Sequence, residues 1–217
     1  MKKHRFSICA LVVLALLVFN CKDKAKEAET KEAEATATTE VTSEKFTVNI
    51  YESSIAWQGF KPTGKHNGTI NIANGAFDVS DGKITSGTFS IDMNTIVNLD
   101  LPADSKGNAK LVGHLKSPDF FDVEKFPTAT FEITGVEDSE GKTMLSGNLT
   151  LKEKTNNITF PVSVSTEGNT LTLTSDTFTI DRSKWDVKHG SKSFFDNLGD
   201  KFINDDIELT VSVKASK

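Results

Sequence analysis

The chain has few cysteines and few aromatic side chains that carry a polar atom. Its 217 residues include two cysteines, one tyrosine and two tryptophans. Cys9 lies within an N-terminal apolar stretch and Cys21 follows it, so a processed chain would have no cysteine pair for a disulfide framework. Barrels that span an outer membrane need girdles of tyrosine and tryptophan at both membrane interfaces. The scarcity of these two residues therefore argues against a membrane-spanning barrel.

Positive charge is also in short supply. The sequence has 25 Lys+Arg against 30 Asp+Glu. Loss of Lys2, Lys3 and Arg5 with a signal segment would leave 22 basic against 30 acidic residues, a net charge of −8. An acidic surface is a poor match for nucleic acid or for anionic membranes. We expect no nucleic-acid partner, and we expect membrane contact to come from a lipid anchor.

Residues 1–20 have the features of a lipoprotein signal peptide. A basic start precedes an apolar stretch of 12 residues, Ile8 to Phe19. This length suits the hydrophobic region of a signal peptide and falls short of the roughly 20 residues that a membrane-spanning helix needs. The segment therefore predicts export, and a permanent anchor helix is the less favoured alternative.

Cys21 is the expected lipidation site because it directly follows the apolar stretch, as in a lipobox. Asn20 stands where a small residue is usual, and plain secretion with a free Cys21 is the alternative. The start Cys21-Lys22-Asp23 resembles lipoproteins of Bacteroidota-type bacteria. This resemblance implies a membrane-anchored lipoprotein in the cell envelope of a Gram-negative bacterium, facing the periplasm or the outer surface.

Residues 21–43 form the next segment, and Val41 is its only sizeable apolar side chain. A segment without an apolar face has nothing to bury, so we expect a flexible, solvated tether that no tertiary contact holds. Its role would be to keep the domain away from the bilayer. The remaining residues, 44–217, are expected to form one domain.

Apolar residues recur with a period of two from Phe46 onward, and the alternation is longest from Ile158 to Val164 and from Ile207 to Val213. This period predicts half-buried antiparallel strands, about eight in number. Turns are expected at Asn74-Gly75, Asp81-Gly82, Glu140-Gly141 and Gly168-Asn169. Pro161 indicates an edge, a bulge or a kink within its strand. The fold class is all-β, and the pattern alone is compatible with a sandwich or a closed barrel.

One segment departs from the β pattern. Asp104 or Ser105 can cap a helix from about Lys106 to Lys116 that ends before Ser117-Pro118. Its apolar stripe would consist of Ala109, Leu111, Val112 and Leu115. We expect the helix to pack across the β-domain, with Phe120, Phe121 and Phe131 anchoring the turn that follows it.

Residues 114–132, HLKSPDFFDVEKFPTATFE, closely resemble the signature of the YceI-like family. Residues 57–61, residues 149–152 with 158–162, and residues 178–185 are similar to other family segments and occur in the same order. The resemblance covers almost all of residues 46–213. It implies an extended lipocalin-like antiparallel β-barrel whose lumen holds a polyisoprenoid chain. Residues 153–157 depart from the family, which usually has a glycine-containing turn there.

The shared phase of the strands, added to this resemblance, predicts a lipid tunnel. Its expected lining residues are Phe89, Ile91, Met93, Phe131, Ile133, Leu149, Leu151, Phe160, Val162 and Phe178. The expected function is to bind or carry a long isoprenoid-type lipid. The alternative is a structural or protein-interaction lipoprotein whose barrel is filled. No cofactor is expected beyond a bound isoprenoid or quinone lipid, and the sequence leaves open whether the chain forms a homodimer.

Sequence motifs for catalysis and for metal binding are lacking. His66, His114 and His189 show none of the close spacings of a zinc site, so no metal site is expected. There is no Gly-x-Ser-x-Gly nucleophile elbow. The sequence therefore predicts a binding protein and no enzyme.

Overall fold

The computed structural model describes residues 25–38, 42–139 and 141–217. The predicted signal peptide and Cys21 lie outside the described residues. Within the described ranges, no helix has the length and apolar character needed to cross a membrane. A single sheet of 12 strands accounts for most of the fold. The strands are β1 (Lys26–Glu27), β2 (Glu29–Glu32), β3 (Glu44–Val48), β4 (Ser54–Lys61), β5 (Gly64–Ser80), β6 (Lys83–Asn98), β7 (Thr128–Ser139), β8 (Lys142–Leu151), β9 (Lys154–Glu167), β10 (Thr170–Ser175), β11 (Phe178–Asp181) and β12 (Asp206–Ser216).

The sheet closes on itself through β12. One edge of β12 pairs antiparallel with β10 and then with β11, and its other edge pairs with β3 and with β4. β3 with β4, and β10 with β11, thus act as the halves of two interrupted strands. Strands β5 to β9 complete the ring by consecutive antiparallel pairing. The predicted all-β barrel with one short helix is confirmed. Counting each interrupted strand once, the barrel has about eight strand positions. A barrel of this size has an interior wide enough for side chains or for one small ligand.

The turn predicted at Asn74-Gly75 is wrong. Both residues lie within β5, where the register against β6 shifts between Ile72 and Asn74. The bulge leaves Ala73 as the extra residue and bends the strand. Gly75 is needed there because an added Cβ would come within 2.5 Å of the Phe89 ring, and not because the chain turns. Asp81 and Gly82 do form the predicted turn between β5 and β6, with φ angles of 51° and 75°.

Among the described residues there is one α-helix, α1 (Lys106–Lys116), which confirms the prediction. Ser105 is its N-cap, and the Ser105 hydroxyl accepts a hydrogen bond from the Asn108 backbone N–H at 3.1 Å. In the turn after α1, Phe120 is buried and Phe121 is half-buried. Phe131 does not belong to this turn, because it lies in β7 and contacts Phe89 and Phe160.

Residues 25–37 form what we call the N-terminal strap, which contacts the barrel instead of being free of it. β1 pairs parallel with β11, and β2 pairs antiparallel with β9. Ala28 lies between these two pairings, donates its N–H to Thr179 O at 2.8 Å and is only 4% exposed. The expectation that nothing tertiary holds residues 21–43 is therefore wrong for this part. Exposed strand edges offer backbone partners to any extended chain, with or without an apolar face.

The strap then crosses the outer face of β8. The Asn148 side chain accepts from the Glu34 N–H at 3.0 Å and donates to the Glu34 carbonyl at 2.7 Å. Asn148 and its neighbour Asn157 are both buried and hydrogen-bonded to each other. Pro161 lies where β9 changes its partner from β2 to β10, so the absence of its N–H leaves no gap in the ladder.

Candidate functional site

Five phenylalanines from five strands form a continuous aromatic belt inside the barrel. We define the belt by Phe77, Phe89, Phe131, Phe160 and Phe178, whose ring centroids are successively 4.9, 6.5, 5.9 and 4.1 Å apart. The rings of Phe160 and Phe178 are stacked, with an interplanar angle of 10°. Because offset-stacked and edge-to-face pairs each contribute about 0.5–1.5 kcal/mol beyond burial, the belt holds adjacent walls together.

Two belt rings lie flat against the wall because a glycine faces them. A Cβ atom added at Gly147 of β8 would come within 2.2 Å of the Phe131 ring. A Cβ atom added at Gly75 of β5 would come within 2.5 Å of the Phe89 ring. Side chains at these two positions would push both rings toward the barrel axis. The glycines therefore leave free space in the interior.

That space is a cavity of about 300 Å³ at the helix-bearing end of the barrel. Ligand pockets in proteins span about 300–1,000 Å³. Eight of the ten sequence-predicted residues line the cavity: Phe89, Ile91, Met93, Phe131, Leu149, Leu151, Phe160 and Phe178. Ile133 and Val162 are buried in the core but do not line it. The Ile133 Cδ1 methyl lies instead 3.0 Å from the position that a Cβ on Gly87 of β6 would take.

The sequence prediction missed the residues of one wall of the cavity. It also missed the lid, by which we mean the residues of α1 and the following turn that cover the end of the barrel. The missed wall residues of β4, β5 and β12 include Ile55, Trp57, Ile70, Ile72, Ile207, Leu209, Val211 and Val213. Leu111, His114 and Leu115 of α1 line the cavity from the barrel end, together with Phe120 and Phe121. The period-two pattern of β12 was a usable signal for the wall. No pattern in the sequence shows which strand end a helix covers.

One residue of this lining, Trp57, has a buried donor without a hydrogen-bond partner among the described residues. The indole Nε1 of Trp57 makes no hydrogen bond within the part of the chain that the structure describes. Gly68, on the paired strand β5, allows the indole to lie close, since a Cβ there would come within 2.7 Å of the ring. The close fit leaves the N–H of Trp57 buried without an acceptor among the described residues.

Polar residues gather at the same end of the barrel. The Asp100 carboxylate accepts from the Asn67 N–H at 2.7 Å and lies 2.8 Å from His66 Nδ1, and Asn98 donates to it as well. Burial raises the pKa of Asp100, but hydrogen bonds from Asn67, His66 and Asn98 together lower it from 3.8 to about 2. Asp100 is thus ionised at neutral pH beside the lining residue His66.

Arg182 fixes the loops around the cavity. It is 1% exposed and lies in a 3-10 helix, Arg182–Trp185, after β11. The Arg182 guanidinium donates to four backbone carbonyls of two separate loops, those of Val187, His189, Ile203 and Asn204. It also lies 3.3 Å from the Asp205 carboxylate and 5.3 Å from the centroid of the Phe120 ring. Burial lowers the pKa of Arg182, while Asp205 and Asp181 oppose that shift.

Comparison with known proteins gives one family. A family model described as the YceI-like domain matches residues 46–215. A UPF0312 protein of Shewanella baltica (strain OS155) is 34% identical over 99 residues, covering 45% of this chain and 47% of the relative. A UPF0312 protein of Pseudomonas paraeruginosa is 36% identical over 87 residues, covering 40% of this chain and 39% of the relative. The chain thus spans about half the length of the curated relatives it matches.

Two solved structures share the fold. Burkholderia cenocepacia BcnA is 21% identical with a TM-score of 0.57, covering 78% of this chain and 99% of that one. A polyisoprenoid binding domain from Saccharophagus degradans is 13% identical with a TM-score of 0.56, covering 79% and 97%. At these identities the likeness establishes the fold alone.

Proposed function

The chain belongs to the YceI-like domain family, and from this premise we propose that its barrel binds one long apolar lipid chain of the isoprenoid type. The observation that carries the proposal is the apolar cavity of about 300 Å³ that the aromatic belt lines. Protein interiors are normally packed to the density of organic crystals, so a cavity of this size supports the binding of a ligand inside the barrel. The filled-barrel alternative does not account for it.

The chemistry of the lining supports the binding of an apolar chain. None of the described residues that line the cavity is Ser, Thr, Cys, Asp or Glu. Such a lining offers dispersion and dehydration with few directional contacts. It suits a hydrocarbon chain. A solved relative from Saccharophagus degradans is named a polyisoprenoid binding domain, which agrees with this ligand class.

Affinity should rise with ligand length until the cavity is full. Each buried CH₂ contributes about 0.8 kcal/mol, so each added isoprene unit, with its five carbons, should tighten binding by up to about three orders of magnitude while the cavity has room for it. Mass spectrometry of an organic extract of the purified protein identifies the resident lipid, and a series of prenyl alcohols tests the length dependence. Failure of every member to bind, together with a lipid-free extract, would leave the filled barrel as the better account.

We also propose that the chain is an envelope lipoprotein anchored through Cys21. The support is the position of Cys21 directly after the 12-residue apolar stretch. The intact mass of the native protein should include a diacylglyceryl-sized addition, and Cys21→Ala should move the protein from the membrane to the soluble fraction. Lys22→Ala is the matched control and should stay in the membrane fraction. An unmodified wild-type protein in the soluble fraction would disprove the anchor.

A further inference from the structure

Two of the three histidines in the described part of the chain meet one carboxylate. His114 lies near the end of α1, Asp119 lies in the turn after it, and His189 follows the 3-10 helix that contains Arg182. His114 Nε2 is 3.3 Å from Asp119 Oδ2, and His189 Nδ1 is 3.7 Å from the same oxygen. One ligand atom from each residue lies within 4.8 Å of the other two. The sequence spacing gave no sign of this cluster because His189 comes from a remote loop.

We propose that His114, Asp119 and His189 bind one divalent transition-metal ion, with Zn²⁺ as the best match. Imidazole nitrogen and carboxylate oxygen are typical zinc ligands, with bonds of about 2.0–2.2 Å. Ligand atoms at that distance around a tetrahedral ion lie about 3.4 Å apart. Two of the contacts already approach this value, and the third, between the two imidazole nitrogens, would have to shorten when the ion binds.

The surroundings hold the two histidine backbones in place. The Ser117 hydroxyl donates to the His114 carbonyl at 2.8 Å, and Arg182 Nη2 donates to the His189 carbonyl at 2.9 Å. The Phe120 ring lies against both imidazoles, with centroid distances of 5.1 and 5.9 Å. Support of this kind orients metal ligands before the ion arrives.

The cluster is open to an ion from solvent. The side chains of His114, Asp119 and His189 are 35, 58 and 41% exposed. Three protein ligands leave a fourth position of a tetrahedral ion for water or another oxygen ligand. His114 also lines the cavity, so the ion would join the lid of the cavity to the loop that Arg182 holds.

His66 and Asp100 provide an internal comparison. They form a His–carboxylate contact of 2.8 Å, but Asn67 and Asn98 also donate to Asp100 and no second histidine takes part. An ordinary ion pair needs only such a contact. The proposed metal site differs because Asp119 has a second imidazole beside it, that of His189. The ring centroids of His114 and His189 are 4.8 Å apart.

Zinc titration of the tag-free full chain, after treatment with a chelator, tests the proposal. We expect the wild type to take up one ion at this site and to show a rise in Tm with zinc, because an ion bound only by the native state stabilises it. His189→Ala and Asp119→Asn should each weaken this uptake by at least about tenfold and abolish the rise in Tm. Every variant carries the same cysteines as the wild type, so any binding by a thiol cancels in the comparison.

His66→Ala is the matched control and should retain both the uptake and the Tm response. Co²⁺ supplies a second readout, since the visible spectrum of the bound ion reports its coordination geometry and should change in His189→Ala. Asp119→Asn keeps the size of the side chain, so it tests the site even where His189→Ala fails to fold. Equal zinc responses in wild type, His189→Ala and Asp119→Asn would overturn the proposal, as would a wild type without any response.

Discussion

Arg182→Ala is expected to lower the free energy of unfolding by about 3–5 kcal/mol, the cost of removing one partner from a buried ion pair. The substitution would leave Asp205 without its counter-ion and four loop carbonyls without their donor. Each buried acceptor that loses its partner costs about 1–3 kcal/mol. Urea denaturation of the purified protein measures the difference.

Lys142→Ala is the matched control for this prediction. Lys142 pairs with Asp176 at 2.6 Å, but the two side chains are 61 and 55% exposed. Exposed ion pairs contribute about 0–1 kcal/mol, so this variant should unfold close to the wild type. A similar small effect for Arg182→Ala would show that the guanidinium does not hold the loops as described.

Leu151→Trp is expected to abolish lipid binding while the barrel stays folded. Leu151 lines the cavity near the end of β8, and a bulky ring there would occupy the space proposed for the lipid chain. Each excluded CH₂ would cost the ligand about 0.8 kcal/mol, so the loss of a few units reduces affinity by orders of magnitude. Binding is measured with the longest prenyl alcohol that the wild type accepts.

Thr150→Trp is the control, since Thr150 is the preceding residue and faces outward to hydrogen-bond with Thr155. It adds the same ring to the same strand without entering the cavity, so it should bind lipid as the wild type does. Gly147→Val is a second route to the same effect, because its side chain would push the Phe131 ring toward the axis. Normal binding by both Leu151→Trp and Gly147→Val, each correctly folded, would mean that the lipid lies elsewhere.

Local patterns predicted the parts of this fold that depend on neighbouring residues. The alternation along β6, β7 and β8 identified the inward face, so residues such as Phe89 and Leu149 were correctly expected to face inward. Ser105 and the residues after it predicted α1 to within a residue of its bounds. The period of two shows which side chains face inward, but it does not show how far along the barrel the cavity extends. Ile133 was therefore included in the predicted lining, although it packs against Gly87.

The features that the sequence did not predict depend on long-range contacts. The strap carries no apolar stripe, and its attachment uses backbone groups of β9 and β11 that no side-chain pattern records. The meeting of His114 with His189 requires that the end of α1 and a loop near the C-terminus share one end of the barrel. The carbonyl partners of Arg182 were unpredictable for the same reason.

With the proposed acyl anchor on Cys21, the strap would also limit how far the barrel can stand from a membrane. Four residue steps separate Cys21 from Ala25, where the strap begins. A fully extended chain advances at most about 3.6 Å per residue, so this stretch reaches about 14 Å. An acyl group on Cys21 would therefore keep the β9–β11 wall within about half a hydrocarbon-core thickness of the headgroups. A lipid moving between bilayer and barrel would have little water to cross, and the protein would collect its ligand at the membrane surface instead of from the surrounding fluid.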